Sequence, residues 1–263
     1  MYRGRLAPSP TGFLHLGHAA TFRVAQQRAQ AAGGELVLRI EDLDRERCKE
    51  EFEASLLVDL TWAGLAWDAG PFRQSERLPA YLAAWKSLAA QGWIYPCACS
   101  RKDVERALSA PHGDDESEAI YPGTYRPEKM RPHPESAPGA TNWRFAVTPG
   151  EIVEFVDGHA GTQRFEAGRD FGDFLVWRKD GFPTYQLAVV VDDAAMGITE
   201  VVRGLDLLTS TAQQILLYRA LGHRPPNFYH CPLVMDAGGR RLAKRAGAHS
   251  LRAMREAGGS ILD

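Results

Sequence analysis

Within its first forty residues the chain passes from strand to turn to helix to strand, and nothing else in it limits the fold as much. Residues 3–8 read as a short buried strand that ends at Pro8. Ser9-Pro10-Thr11-Gly12 is a turn, because proline fixes φ and glycine frees it. The pattern predicts a helix from about Gly17 to Ala32, stopped by Gly33-Gly34. Glu35 to Ile40 follows as a second strand carrying Leu36, Val37, Leu38 and Ile40. Two short strands joined through a helix form a βαβ unit, and that unit implies a parallel sheet.

Apolar residues recur at helical spacing in Phe52, Leu56, Leu57, Leu60 and Ala63, and again in Leu78, Tyr81, Leu82, Trp85 and Leu88. From 97 to 140 the texture becomes irregular and proline-rich, with Cys97-Ala98-Cys99 and the acidic run 114–118. Strand-like pieces are expected at Trp143 to Val147, Glu151 to Val156 and Asp173 to Arg178. Regular α/β texture resumes near Tyr185. Ala188-Val189-Val190-Val191, Ile198 to Val202 and Phe228 to Met235 read as strands, and Thr211 to Leu221 as a helix. A last helix is capped by Ser250 and stops at Gly258-Gly259. The expected architecture is α/β: a Rossmann-like parallel core in two halves, 1–96 and 185–263, split by an α+β insertion at 97–184.

At 263 residues the chain is long enough for such a core with an insertion. Its formal net charge of −2 places any nucleic-acid contact on local patches rather than on an overall basic field. There is no apolar run of membrane-spanning length and no signal-peptide core, so a cytoplasmic protein without membrane association is expected.

Two motifs carry chemistry. His15-Leu16-Gly17-His18 opens the first helix, where unpaired N–H groups and the positive dipole end suit phosphate. His15 and His18 share a face of that helix, and Gly17 lets a flat ring approach the backbone. Far downstream, Arg241-Leu242-Ala243-Lys244-Arg245 lies between glycines, so a cation sits on a loop free to move. Together they point to ATP-driven activation of a carboxylic acid.

With Arg39-Ile40-Glu41-Asp42-Leu43-Asp44, Gln74-Ser75-Glu76-Arg77, Val191-Asp192-Asp193 and Val202-Arg203-Gly204-Leu205-Asp206, these motifs make the chain resemble class I glutamyl-tRNA synthetases. The early stop after the lysine loop, with no anticodon-binding domain, resembles their short paralogues, the glutamyl-Q tRNA(Asp) synthetases. The resemblance implies catalytic His15, His18 and Lys244, and ATP contacts from His15, Gly17, His18, Arg241 and Lys244. It implies glutamate contacts from Arg5, Ser9, Glu41, Tyr185 and Arg203. It also implies Mg²⁺ alongside ATP, and L-glutamate and queuosine-bearing tRNA(Asp) as partners of a monomer. The lysine loop departs from the family's Lys-Leu/Met-Ser-Lys at Arg241 and Ala243, which keeps a charge and loses a hydroxyl.

The short family often holds zinc on Cys-x-Cys, a Tyr and a later Cys. Here Cys97, Cys99 and Tyr121 match, but Tyr125 stands in the fourth place, with His112 or an acid at 114–118 as substitutes. Zinc favours thiolate and imidazole, so two phenols make a poor set and a metal-free knob is the stronger expectation. Basic residues at 101–102, 126, 129, 131 and 240–255 are candidate tRNA contacts. Two other readings remain open: a catalytic fragment of a glutamyl-tRNA synthetase acting on tRNA(Glu), and an inactive tRNA- or nucleotide-binding module. Short members of the family activate glutamate without tRNA, whereas long ones generally need tRNA(Glu).

Overall fold

The structure, a computed structural model, describes residues 1–99, 120–134, 137–234 and 250–259. Strand β1 (Arg3–Leu6) leads through α1 (Leu16–Ala31) to β2 (Glu35–Ile40), and the two strands pair in parallel with Arg5 opposite Val37. The expected βαβ unit is therefore present. Helix α1 buries Ala19, Phe22, Ala25 and Ala29, one stripe at three- and four-residue spacing, and Gly33 takes a φ of 57° just past its end.

Helix α2 (Glu50–Trp62) buries Leu56 and Leu60, and β3 (Ala69–Arg73) extends the first sheet beside β2. A 3₁₀ turn (Gln74–Arg77) precedes α3 (Leu78–Ala90), which buries Tyr81, Trp85 and Leu88. The antiparallel sheet that follows is formed by β4 (Ile94–Cys97), β5 (Asn142–Phe145) and a later strand, β8 (Phe174–Trp177).

Strands β6 (Ile152–Asp157) and β7 (Gly161–Glu166) form a hairpin. It does not stay with the antiparallel sheet. β6 pairs in parallel with β10 (Asn227–Cys231), which pairs in parallel with β9 (Glu200–Gly204). Sheet pairing therefore crosses the boundary expected at 184, and part of the 97–184 stretch is built into the second parallel sheet.

A further difference concerns Tyr185–Ala195, which is helix α4 and not a strand. Its β-branched run favours strand locally, but every residue from Leu187 to Asp193 is buried, so the element is an all-round core helix whose packing overrides propensity. Helix α5 (Leu208–Ala220) lies beside it, and α6 (Leu251–Glu256) is capped by Ser250 Oγ, which accepts from Ala253 N–H as expected. No described helix is long and apolar enough to cross a membrane.

One apolar core gathers Trp85, Trp143 and Trp177 with α4 and α5, and a second gathers Leu6, Leu38, Ile40, Leu56 and Leu60 with Val202. The two parallel sheets meet edge to edge at β1 and β9, where Thr199 N–H donates to the Arg3 carbonyl at 2.8 Å. From that seam the chain winds outward in both directions. A crevice beyond the carboxyl ends of the strands is the preferred ligand position in such sheets.

Candidate active site

The strand ends converge on such a crevice. A cavity of about 350 Å³ is lined by Ala7, Pro8 and Ser9 after β1, Glu41 after β2, Gly204 and Asp206 at the end of β9, and Pro232 to Val234 after β10. Arg5, His15, Gly17, His18, Tyr185 and Arg203 complete its wall. Every described residue of the expected ATP and glutamate sets therefore faces one space. Arg241 and Lys244 lie outside the described residues.

At the ATP end, His15 is the N-cap of α1. Its Nδ1 accepts from Gly17 N–H at 3.1 Å, and His15 N–H donates to His18 Nδ1 at 3.3 Å, a capping box written with two imidazoles. An Nδ1 that accepts must carry its proton on Nε2, so both neutral rings are set as Nε2–H donors. The rings lie 3.8 Å apart. A Cβ on Gly17 would come within 3.0 Å of His15 Cε1, so the glycine makes room for the imidazole itself.

At the other end, Arg203 is buried with three partners. It donates from NH1 to Tyr185 OH at 3.1 Å, from NH2 to Thr211 Oγ1 at 2.6 Å and from Nε to His230 Nε2 at 3.2 Å. Arg5 donates to the Val202 carbonyl at 2.8 Å and lies 3.7 Å from Asp193. Glu41 accepts from Arg39 at 3.0 Å. Burial raises the Glu41 pKa, while Arg39 and Arg5 oppose that rise. Arg39 is fully buried yet held charged by Asp193, Glu41 and Asp192. A cation of this kind makes burial of three carboxylates tolerable.

Asp192 ties α4 to the neighbouring elements, accepting from Gln74 Nε2, Arg77 Nε and Tyr81 OH at 2.6–2.8 Å. Residue patterns alone did not assign roles to Arg39, Asp192, Asp193, Thr211, Asp157 or His230. Arg39, Asp192 and Asp193 stand inside quoted motifs but without roles; for His230 the signal that could have found it is a histidine inside an apolar strand, where a buried imidazole needs a partner.

The cysteine knob gathers part of the expected zinc set. Cys97, Cys99 and Tyr121 are buried together, with Cys97 Sγ donating to Tyr121 OH at 3.4 Å. The same oxygen accepts from the Tyr125 backbone N–H at 2.8 Å, while the Tyr125 side chain is 49% exposed. The Arg144 guanidinium lies 3.8 Å over the Tyr121 ring. Three members of the expected ligand set, Cys97, Cys99 and Tyr121, are thus brought together, while the side chain of the fourth, Tyr125, is half exposed. Among the described residues no group of three or more His, Cys, Asp or Glu could hold a metal ion. His112 and residues 114–118 lie outside the described residues.

Residues 1–259 match the family described as "tRNA synthetases class I (E and Q), catalytic domain". The chain belongs to this class I synthetase family. It is 49% identical to the glutamyl-Q tRNA(Asp) synthetase of Symbiobacterium thermophilum, over 99% of this chain and 83% of that protein. It is 45% identical to the protein of the same name from Nitratidesulfovibrio vulgaris, over 98% of this chain and 82% of the relative. Among solved structures, it resembles the glutamate tRNA ligase of Elizabethkingia meningosepticum in complex with its amino acid, with a TM-score of 0.77 and 30% identity. That likeness covers 94% of this chain and 52% of the ligase, so the chain spans about half of that larger protein. The class I catalytic domain accounts for the split parallel sheet, and for ATP as a substrate.

Proposed function

We propose that this protein activates L-glutamate with ATP and transfers the glutamyl group to the queuosine base of tRNA(Asp). The observation that carries the proposal is the single cavity in which two arginines and a carboxylate face an imidazole pair at a helix N-terminus. A carboxylate oxygen of glutamate attacks the α-phosphorus of ATP, pyrophosphate leaves, and glutamyl-adenylate forms. A hydroxyl of the queuosine cyclopentenediol then attacks the activated carbonyl, losing its proton as AMP departs. No protein nucleophile is required. Rate enhancement comes from positioning and from donors aimed at developing charge.

In this reading Arg5 and Arg203 meet the carboxylates of glutamate, with Tyr185 and Ser9 beside them, and Glu41 takes the ammonium. Each charge of the substrate then has a buried counterpart, which is how a site of this kind separates glutamate from uncharged glutamine. His15 and His18 present Nε2–H donors to phosphate oxygens, with Lys244 and Arg241 assigned to the same end. Mg²⁺ bound to ATP would neutralise phosphate charge, and it usually keeps several waters and few protein ligands. The described residues hold no ready-made cage for it.

Arg203→Ala should reduce glutamate-dependent ATP–pyrophosphate exchange at least about 100-fold, as expected when a buried charge partner is removed; unchanged exchange would sink the assignment. The acceptor is tested by charging queuosine-containing tRNA(Asp) beside unmodified tRNA(Asp) and tRNA(Glu). Transfer only to the queuosine form is the expected result. Exchange that requires tRNA(Glu) would point instead to a fragment of a glutamyl-tRNA synthetase, and failure to form any adenylate to a binding module.

A further inference from the structure

Behind the cavity wall stands a buried chain of polar groups that the reaction scheme does not use. Asp157 closes β6, and His230 is the fourth residue of β10; neither lines the cavity. His230 is fully buried, and its Nδ1 lies 2.6 Å from Asp157 Oδ2. Its Nε2 faces Arg203 Nε at 3.2 Å and Thr211 Oγ1 at 3.0 Å. Asp157 is itself held by the backbone N–H groups of His159 and Ala160, at 2.9 and 2.7 Å, and by that of His230.

The chemistry of these atoms fixes the place of the imidazole proton. A guanidinium can only donate, so His230 Nε2 must accept from Arg203. The imidazole proton therefore sits on Nδ1 and is given to Asp157. The Thr211 oxygen accepts from Arg203 NH2, and its hydroxyl proton is within reach of two acceptors, the Leu207 carbonyl and His230 Nε2, each at 3.0 Å. Two edges of the Arg203 fork are thus fixed from behind, and the remaining nitrogen, NH1, carries Tyr185 at the cavity.

We infer that Asp157 and His230 are positioning residues for Arg203: the carboxylate sets the imidazole tautomer, and the imidazole sets the orientation of the guanidinium that meets glutamate. The inference rests on the proposed glutamate role of Arg203. The groups facing His230 are Asp157 from β6, Arg203 from β9 and Thr211 from α5, with the Arg5 charge on β1 beyond them. Burial, and then the Arg203 charge, hold His230 at a pKa of about 4 against the pull of Asp157, so the ring is neutral at physiological pH.

Asp157→Asn is the discriminating variant. Asn Oδ1 can keep the bonds from the His159 and Ala160 backbone, while its NH₂ now donates toward His230 Nδ1. The imidazole proton is driven to Nε2, where it opposes Arg203 Nε–H, donor against donor. A carboxylate-to-amide change beside a catalytic histidine shows how large a tautomer error can be while the geometry survives. The KM for glutamate in ATP–pyrophosphate exchange should rise about ten-fold or more, while the KM for ATP stays within about twofold. Nitrogen NMR of labelled histidine should show His230 as the Nδ1–H tautomer in the parent protein and as Nε2–H in the variant. An Nε2–H tautomer in the parent protein overturns the inference whatever the variant does. So does an Asp157→Asn protein that melts earlier but keeps its glutamate KM, because that is a purely structural role. If Arg203→Ala also leaves the glutamate KM unchanged, the assignment of Arg203 has failed. If Arg203→Ala raises it and Asp157→Asn does not, only the inference drawn here has failed.

Discussion

Arg39 shows how much one side chain can hold. It has no exposed surface and faces Glu41 at 3.0 Å, Asp193 at 2.6 Å and Asp192 at 3.9 Å. Arg39→Met would strip Glu41 of its hydrogen-bonded cation and leave Asp193 only the more distant Arg5, while Asp192 keeps Arg77; breaking a buried pair in this way typically costs about 3–5 kcal/mol. Urea unfolding should register that loss, and a change below about 1 kcal/mol would show that the network carries little of the stability. His230 gives a pH signature. Its folded pKa of about 4 lies below the 6.5 of a free histidine, so the unfolded chain takes up a proton before the folded one does. The stabilising difference is complete above pH 6.5 and is lost as pH falls from 6.5 toward 4. It is worth on the order of 3 kcal/mol. Denaturant unfolding at pH 7 and pH 5 should show this decline in the parent protein and a flatter response in His230→Gln; equal slopes in the two proteins would contradict it.

Helix α1 illustrates what an element contributes to chemistry. A helix interior prefers alanine to glycine by up to about 1 kcal/mol, yet a Cβ on Gly17 would press on His15 Cε1 and Nδ1 at 3.0 and 3.1 Å. Gly17→Ala should therefore hold or slightly raise the melting temperature while lowering pyrophosphate exchange about 10–100-fold, the usual range for a misplaced catalytic group; full exchange activity would mean that the ring can move without loss. The same scale explains what was legible in the chain. The β1–α1–β2 unit was, because its turn residues, helical stripe and apolar strands agree with one another. Helix α4 was not: Val189-Val190-Val191 favours a strand, and only complete burial makes it helical. Strand β3 was missed because it contains Gly70 and Pro71 and is largely exposed. The expected glutamate and ATP residues that can be seen converge on one cavity, because their motifs lie at strand ends. Asp157 and His230 could not be paired in advance, since 73 residues separate them and only the β6–β10 register joins them.

Across the whole molecule, ligand binding should be visible as stability. A ligand at 100 times its Kd that binds only the folded state adds about 2.7 kcal/mol, which corresponds to a rise of roughly 5–10 °C for a chain of this size. Thermal melts with saturating L-glutamate and ATP should show such a rise without any RNA, and L-glutamine in place of glutamate should give a smaller one. Equal shifts with both amino acids would contradict a charge-selective cavity. The sheet seam also has a consequence for how the protein is made. Arg39 belongs to the second strand, while its 2.6 Å partner Asp193 is 154 residues further along. At roughly 5–20 residues per second, about 8–30 s of synthesis separate the two. Until α4 emerges from the ribosome, the nascent first half offers Arg39 only Glu41 of its three carboxylate partners. The core around Arg39 is completed only when the later half brings Asp192 and Asp193.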